Sequence, residues 1–479
     1  MPPLARVRAP QTNGAVLALP PIDEAPALVA ANQRRFAACD RSIDGLPLPE
    51  LRLLARNEAL ALAGAEGTYP IDAPLLLTGH QPEMFHPGVW VKNFALNGLA
   101  RRVAGIPLNL IVDHDTMKSA NIALPTWDEW KPTSVRLDHV AFDKFDGEQP
   151  YEQRKIRDGG QFASFAERVL EQTRQWGYEP LLLSSRERER PEVHLAGSWV
   201  NTIGERFTSD RIAMERAWGC RNLELRVSQL CGTASFAHFV NEIVRHATCF
   251  RECHNSAVRA YRQRHGLHSR THPVPELTQG ELPFWEMTAT GRKPLTQPTT
   301  TVNIRPRALT LTLFARICLG DFFIHGIGGG KYDEVTDQIC RDFFGIEPPA
   351  FQVLTATVHL PLPGFPGTET DVRYLERQAR DLHWNPQRHT TAGEAYRQAK
   401  AALAAIEPQD HTARRKWFRQ LSSATDKLRP LVSDQLEEVR LKLDVAREEA
   451  AANTILRRRD YAWVLYSEST LRPMMEQFL

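Results

Sequence analysis

The chain has 479 residues, of which 42% are hydrophobic and 24% are charged, and its formal net charge is +2. This length favours two or three domains, and the balanced charge argues against a broad surface for nucleic acid or membranes. The N-terminal segment lacks the apolar core of a signal peptide, and no window reaches the apolar length of a membrane span. Because the seven cysteines are scattered, we expect a cytoplasmic protein with reduced thiols that binds neither nucleic acid nor membranes.

The first 140 residues predict two helices followed by a β-α-β unit. Residues 1–70 begin with a Pro- and Ala-rich extended arm, and the segments 24–39 and 50–63 have helical spacing of apolar residues. In residues 71–140 the apolar runs APLLLTGHQ and IPLNLIVDHD enclose the helical segment VWVKNFALNGLARRVAG. Strand, helix and strand in this order predict a parallel sheet, and ligands bind beyond the carboxyl ends of such strands.

The remainder of the chain predicts three further regions. Residues 141–300 are expected to form a mainly helical insertion, with helices in SFAERVLEQTRQWG and SFAHFVNEIVRHATCFRECHNSAVRAYRQRHG and a Pro- and Thr-rich loop at 271–301. Residues 301–390 return to sheet character, with a strand, a glycine cluster and a helix in DFFIHGIGGGKYDEV. In residues 391–479 helix formers dominate, and the basic run RRR at 457–459 is expected at a solvated helix end. A coiled-coil-like apolar seam is formed by Leu436, Val439, Leu443 and Ala446.

The segment TGHQPEMFHPGVWVKN, residues 78–93, lies between the first predicted strand of this sheet and its helix. Its glycines allow a backbone to approach a ligand, its histidines can move protons near neutral pH, and the helix N-terminus favours an anion. A proline-rich turn with surface histidines is the alternative, but the position between strand and helix favours a phosphate or carboxylate site. The candidate residues of this segment are Thr78, Gly79, His80, Gln81, His86, Gly88 and Lys92.

The second predicted strand ends in VDHD, which places Asp113, His114 and Asp115 at the same edge of the sheet. A carboxylate beside an imidazole can orient the ring, raise its basicity or help to hold a divalent metal. The alternative is a strand-ending turn in which an aspartate caps the next element. Three ionisable residues at this edge favour a catalytic role, and we expect no dedicated metal site.

The third candidate site is HGIGGGKYD, which begins at His325. Its consecutive glycines, Gly328, Gly329 and Gly330, can form an anion-binding nest before a helix, and Lys331 would add a positive charge. The segment is neither a Walker A loop nor a GxGxxG fingerprint, because the spacing and the flanking residues differ. A glycine hinge is an equally acceptable interpretation.

These segments together resemble the bacillithiol biosynthesis cysteine-adding enzyme family, over about residues 75–455. The family's Thr-Gly-Gln-Gln loop is similar to TGHQ, with His80 in place of the first Gln, and its Glu-Asp-His-Asp strand end is similar to IVDHD. TMKSAN keeps an asparagine of the family as Asn121, and NIRPRAL resembles its Asn-Val-Arg-Pro segment, with Arg305 at the arginine. HGIGGGKYDEV resembles its Gly-Gly-Pro-Gly-Glu segment, with Lys331 where the family tends to have Glu.

The resemblance implies a Rossmann-like parallel sheet core, related to nucleotidylyltransferases, with helical insertions and a C-terminal helical coiled-coil arm. It implies a ligase that joins cysteine to an amino-sugar or other amine in low-molecular-weight thiol biosynthesis, with ATP and Mg as cofactors and a homodimer through the C-terminal helices. His80 and Lys331 make the predicted site more basic than the family pattern, which indicates a more acidic or differently shaped substrate. In the implied roles, phosphate is stabilised by His80, His86 and Lys331, and the base is Asp113, His114 or Asp115.

Two other functions remain open. The segment GHQPEMFHPG also resembles the His-x-Gly-His loop of nucleotidylyltransferases, with His86 and Gly88 matching and Val89 in place of the last His. Such an enzyme would release pyrophosphate without forming an amide. The third possibility is a non-catalytic scaffold that dimerises through the helical arm, for which removal of Asp113 or His114 would have no effect on activity in cells.

Overall fold

The computed structural model describes residues 7–182, 202–269, 271–272, 274–296 and 303–479. The protein has a mixed α/β fold with a parallel-stranded sheet and helical insertions, as the sequence predicts. None of the described helices combines the length and the hydropathy needed to cross a bilayer. Two compact units make up the chain: the larger contains Met1–Leu124, His139–Pro361 and Arg459–Leu479, and the smaller contains Pro125–Asp138 and Leu362–Arg458.

Most strands are short, and the longest have six residues. The main sheet of the larger unit uses six of them, and the others form small two- or three-stranded sheets. In chain order the strands are β1 (Val16–Leu19), β2 (Ser42–Ile43), β3 (Leu46–Pro47), β4 (Leu75–His80), β5 (Ile106–Ile111), β6 (Thr116–Met117), β7 (Asn121–Thr126), β8 (Arg136–Ala141), β9 (Gln149–Pro150), β10 (Leu223–Arg226), β11 (Phe284–Thr288), β12 (Gly291–Pro294), β13 (Ile304–Pro306), β14 (Phe322–His325) and β15 (Gln352–Ala356).

The α-helices range from single turns to 24 residues. A π-helical turn, Phe314–Leu319, extends one of them. In chain order the α-helices are α1 (Ala25–Ala37), α2 (Leu48–Leu62), α3 (Pro87–Arg102), α4 (Gly159–Ala163), α5 (Phe165–Thr173), α6 (Ile203–Ala217), α7 (Val227–Leu230), α8 (Ala234–Arg245), α9 (Ala247–His265), α10 (Ala308–Leu313), α11 (Ile327–Asp342), α12 (Glu369–Trp384), α13 (Glu394–Ala404), α14 (His411–Leu428), α15 (Ser433–Leu456) and α16 (Glu468–Glu476).

The main sheet has the strand order β1-β15-β14-β4-β5-β10. The five strands from β15 to β10 are parallel to one another, and β1 is an antiparallel edge strand beside β15. The predicted β-α-β unit is confirmed, because β4 and β5 pair in parallel from Leu75 opposite Ile106 to His80 opposite Ile111. Numbered along the chain, the parallel strands lie in the order 3-2-1-4-5. The direction of winding therefore reverses between β4 and β14, where a crevice opens at the carboxyl ends of the strands.

Four local predictions need correction. The arm predicted before the first helix contributes β1 to the main sheet, and the long helix predicted from SFAHF is two helices that break at His246. The loop predicted at 271–301 contains the hairpin of β11 and β12, which joins β13 in a three-stranded sheet. The glycine cluster does not precede α11 but lies in its first turn, because α11 already begins at Ile327.

The smaller unit contains the helices up to α15 of the predicted C-terminal region, whereas α16 belongs to the larger unit. The helices α12 and α15 pack against each other, and Leu382, Val432 and Val439 form a small apolar cluster there. Of the predicted seam, Val439, Leu443 and Ala446 are buried. Thr368 and Asp371 form a capping box at the start of α12, which fixes where this helix begins.

Candidate functional site

A cavity of about 610 Å³ lies at the carboxyl ends of β4, β5 and β14 in the larger unit. This is the crevice in which parallel α/β sheets bind ligands. The structure brings predicted residues from all three sequence segments together there. The predicted residues that line the cavity are Gly79, His80, Gln81, His86, Gly88, Lys92, His114, Asp115, His325, Gly328 and Gly329.

Lys92 is a buried cation on α3, with 3% of its surface exposed. Its Nζ donates a hydrogen bond to the Gly79 carbonyl at 3.1 Å, and it forms no ion pair with a carboxylate in the described part of the chain. Burial lowers the pKa of Lys92 from 10.5 to about 8, so the ammonium form predominates at pH 7. A buried ammonium group without a carboxylate partner is costly, and it faces a cavity that can admit an anion.

The two histidines of the first segment are neutral at pH 7. Burial, followed by the charge of Lys92, lowers the pKa of His80 to about 3. Burial, followed by the charge of Arg459, lowers the pKa of His86 to about 4. The Gly88 N–H donates to His86 Nδ1 at 3.1 Å, so His86 caps α3 and its proton belongs on Nε2.

Gly88 is required by close packing. A Cβ atom there would lie 2.3 Å from the Ala356 carbonyl and 2.5 Å from Arg459 Nη2. Thr355 Oγ1 donates to the Gly88 carbonyl at 2.9 Å, which ties the start of α3 to β15. The glycine therefore brings the first turn of α3, with its histidine cap, directly over the end of the sheet.

Arg459 lines the cavity, although the sequence places it in a basic run expected at a solvated helix end. Its Nη2 donates to Thr355 Oγ1 at 2.9 Å and to the Ala356 carbonyl at 2.8 Å. These contacts hold the guanidinium group beside His86. The expectation of a purely solvated run is therefore wrong for this residue, since the chain returns to the larger unit at Arg459.

The N-terminus of α11 forms another part of the cavity wall. Gly326 occupies the N-cap position and supplies no side-chain acceptor, while Ile327, Gly328 and Gly329 line the cavity. The first N–H groups of a helix lack intrahelical acceptors, and the helix dipole makes this end positive. Gly329 also leaves room for His325, because a Cβ atom there would lie 2.8 Å from His325 Nδ1.

His325 lies at the end of β14 against a buried charge cluster. Its Nε2 is 2.7 Å from Asp333 Oδ2, and Arg316 Nη1 lies 3.1 Å from the same oxygen. Burial lowers the pKa of His325, although Asp333 opposes this effect. The imidazole therefore presents a neutral ring to the cavity.

At the end of β5, Asp113 has a structural role, whereas His114 and Asp115 face the cavity. Asp113 is fully buried outside the cavity and accepts hydrogen bonds from the Ser228 N–H at 2.9 Å and from the Ser228 hydroxyl. Burial, followed by the charge of Glu152, raises the pKa of Asp113 to about 6. Asp113 thus anchors α7 to the strand end, so its predicted catalytic contact with a ligand is not supported by its position.

His114 and Asp115 do line the cavity. His114 has 3% of its surface exposed, its Nδ1 has no hydrogen-bond partner among the described residues, and burial lowers its pKa to about 3. Asp115 accepts from Gln81 at 2.8 Å and from Arg292 at 2.7 Å. Burial raises the pKa of Asp115, but these hydrogen bonds outweigh it and hold the pKa below its usual value. The site therefore combines a neutral imidazole with a charged carboxylate.

The small sheet of β11, β12 and β13 supplies cavity residues that the sequence analysis missed. Arg292 lies 4.7 Å and Arg307 lies 4.3 Å from the ring centroid of Trp285, and all three side chains line the cavity. Arg292 also donates to the His114 carbonyl at 2.8 Å, which joins this sheet to the end of β5. The alternating pattern of FWEMT before a glycine turn could have indicated a strand.

Several predicted residues lie outside this cavity. Thr78 Oγ1 donates to the Ile324 carbonyl at 2.8 Å and joins β4 to β14, and Arg305 forms a bidentate ion pair with Glu152 at 3.0 and 2.8 Å. The residues Gly330 and Lys331 follow the cavity-lining turn of α11 and do not line the cavity. Gly330 packs instead on β15, and Asn121 lines a second cavity.

No known protein-family model matches the sequence, and no curated protein matches it either. In the described ranges, no group of three or more His, Cys, Asp and Glu side chains is arranged to hold a metal ion. Asp115 is the one carboxylate among the described lining residues of the large cavity, and Arg292 already pairs with it. The chemistry that this cavity favours is therefore the binding of an anion by cationic and N–H groups.

Proposed function

We propose that the protein is a carbon–nitrogen ligase that joins the carboxylate of cysteine, or of a related acid, to a small amine such as an amino-sugar. The observation that carries the proposal is the cationic cavity at the crevice between β4 and β14. Lys92 faces it without a carboxylate partner, and the first turn of α11 presents uncapped N–H groups. Amide formation from a carboxylate requires activation, and an activated acid carries phosphate charge that such groups would stabilise.

The strand order supports a Rossmann-like core. The order 3-2-1-4-5 with one reversal is that of doubly wound α/β folds, in which nucleotides bind at the reversal point. The proposed low-molecular-weight thiol biosynthesis rests on the family resemblance of the TGHQ and IVDHD segments. The packing of α12 against α15 supports the proposal of a helical coiled-coil arm. We also propose a homodimer through the C-terminal helices and a cytoplasmic location.

The residues present fit a nucleotide polyphosphate. Lys92, Arg459 and the N–H groups at Gly328 and Gly329 would hold the phosphate oxygens, as at other helix N-termini. ATP would supply the leaving group that converts the acid into an acyl donor. Magnesium fits less well, because Asp115 is the only described carboxylate lining this cavity, and a bound ion would depend mainly on phosphate oxygens.

The neutral histidines are suited to hydrogen bonding and proton transfer around this anion site. His114 offers an unpartnered Nδ1 and His80 lies beside Lys92, so both rings can contact a ligand without carrying charge. Their low pKa values make them weak bases until a bound anion raises them. In this proposal His80 and His114 orient the reacting groups, and Lys92 stabilises the phosphate charge.

The test is product analysis with purified protein. Incubation with ATP, magnesium, cysteine and an amino-sugar acceptor should give a new amide in the mass spectrum, together with ADP or AMP. Lys92→Met should lower the rate by at least about 100-fold, because it removes a charge that contacts the leaving group. Lys144→Met, at an exposed lysine of the same unit, is the control and should leave the rate unchanged. An active Lys92→Met variant would contradict the proposed site.

A nucleotidylyltransferase is the second candidate function. It is favoured by His86, which caps α3 at the edge of the cavity in a loop similar to that of these enzymes. Pyrophosphate release with transfer of the nucleotide to an acceptor, and without an amide product, would identify this activity. The same incubation distinguishes the two functions, because the products differ in mass.

A further inference from the structure

A second cavity, of about 350 Å³, adjoins the anion-binding cavity. The two cavities share the lining residues Gln81 and Asp115. The Gln81 side-chain amide donates to Asp115 Oδ2 at 2.8 Å, so this hydrogen-bonded pair forms the wall between them. Two ligands bound on either side of this wall would meet at Asp115.

Carboxylates outnumber cationic side chains in the second cavity. Glu83 and Asp115 line it together with one lysine, Lys118, and in the described part of the chain Glu83 forms no ion pair with a lysine or arginine. The Tyr151 hydroxyl donates to Glu83 Oε2 at 3.3 Å, and further hydrogen-bonding side chains are supplied by Ser119 and Asn121. Carboxylates among hydroxyl and amide groups favour a ligand that is cationic and rich in hydroxyl groups.

We propose that the second cavity binds the amine substrate in its ammonium form, and that Glu83 accepts the proton which the amine must lose before it reacts. The inference rests on the ligase function proposed above. Glu83 Oε1 lies 3.7 Å from Nδ1 of His80, and His80 lines the first cavity. The ammonium substrate in the second cavity and the phosphate-activated acid in the first cavity would then meet at Gln81 and Asp115.

The charges around Glu83 agree with this role. Burial raises the pKa of Glu83, the Tyr151 hydrogen bond lowers it, the charge of Asp115 raises it and the charge of Lys118 lowers it. The net effect is a rise, which makes Glu83 a stronger base than an ordinary surface carboxylate. His80 also lies close, with its Nδ1 3.7 Å from Glu83 Oε1, and it is neutral at pH 7.

The proposed step balances as an acyl transfer. The ammonium group gives one proton to the Glu83 carboxylate, and the freed nitrogen lone pair attacks the acyl carbon of the phosphate-activated acid. The C–N bond forms and the C–O bond to phosphate breaks, and the phosphate leaves with the electron pair. The second nitrogen proton leaves with the phosphate or passes to water, so the products are an amide, a phosphate and a protonated Glu83.

Calorimetric binding to the full chain tests the inference. The probes are D-glucosamine, its uncharged analogue N-acetyl-D-glucosamine, and inorganic pyrophosphate. The wild-type protein should bind glucosamine in preference to N-acetylglucosamine. Glu83→Gln should weaken glucosamine binding by about tenfold or more, because a charged hydrogen bond is lost. Glu171→Gln, at an exposed glutamate on α5, should bind glucosamine as the wild type does.

Pyrophosphate separates this inference from the proposed function. Glu83→Gln should retain pyrophosphate binding, which also shows that the variant is folded, whereas Lys92→Met should lose pyrophosphate binding and keep glucosamine binding. Two results together would overturn only the inference. Pyrophosphate binding would depend on Lys92, and glucosamine binding would be absent or unchanged in Glu83→Gln. Glucosamine binding that depends on Glu83, without any pyrophosphate binding, would overturn the proposed anion site but leave the amine site supported.

Discussion

Replacement of Lys92 by methionine should stabilise the ligand-free protein at pH 7. The fall of the Lys92 pKa from 10.5 to about 8 means that its charged form costs the folded state roughly 3 kcal/mol. Methionine removes this cost and retains much of the side-chain volume, but it loses the hydrogen bond to Gly79, which contributes about 1 kcal/mol. We therefore expect a net gain of about 2 kcal/mol in the free energy of unfolding at pH 7.

The pH dependence follows from the sign of the shift. Between pH 8 and pH 10.5 the unfolded chain holds the Lys92 proton more tightly than the folded protein, so wild-type stability rises with pH. The advantage of Lys92→Met should fade over this range and become a loss of about 1 kcal/mol near its upper end. Urea unfolding followed by tryptophan fluorescence at pH 7 and pH 10 measures the change, with Lys144→Met as the control. Equal destabilisation of Lys92→Met at both pH values would refute the idea that Lys92 is buried at a cost.

Three further substitutions probe the packing and charge around the site. Gly88→Ala should lower the unfolding free energy by about 2 kcal/mol or more, since its Cβ would meet the Ala356 carbonyl. Gly328→Ala should be neutral or stabilising by up to about 1 kcal/mol, because its Cβ meets no atom within 4 Å; a large loss would argue against the helical first turn of α11. Because the pKa of Asp113 is raised to about 6, its own contribution to the free energy of unfolding should fall by roughly 3 kcal/mol as pH rises from about 4 to 6, which appears as the difference between wild type and Asp113→Asn. Urea titrations of both proteins at pH 4 and pH 6 measure this difference, and a difference that does not change with pH would contradict the raised pKa of Asp113.

The part of the site that the sequence predicts is the part built from local segments. The apolar runs around β4 and β5 have strand length, and the intervening residues have helical spacing, so the β-α-β unit follows from periodicity. Once a parallel sheet is inferred, the loops of His80 and His114 must lie at the same edge. Both residues line the cavity, and so does Lys92, which lies on α3 one turn after Gly88.

The missed residues come from segments that are distant in sequence. Trp285 and Arg292 lie in a Pro- and Thr-rich stretch whose composition is typical of a loop, although β11 pairs there with both β12 and β13. Arg459 reaches the cavity only because the chain returns from the smaller unit. The sequence predicts Lys331 at the anion site because it predicts that the helix begins after the glycines. The helix begins at Ile327, so Ile327, Gly328 and Gly329 line the cavity and Lys331 does not.

The stability costs at this site argue for a ligand more strongly than the cavity does alone. Lys92 is held as a buried ammonium group, and His114 keeps an unpartnered nitrogen where water is nearly excluded. Each arrangement is less stable than an apolar side chain of similar size would be, and neither is needed to form the sheet or α3. A bound anion would neutralise the first and could accept or donate a hydrogen bond to the second. We therefore infer that the protein is most stable with an anionic ligand bound at the crevice between β4 and β14.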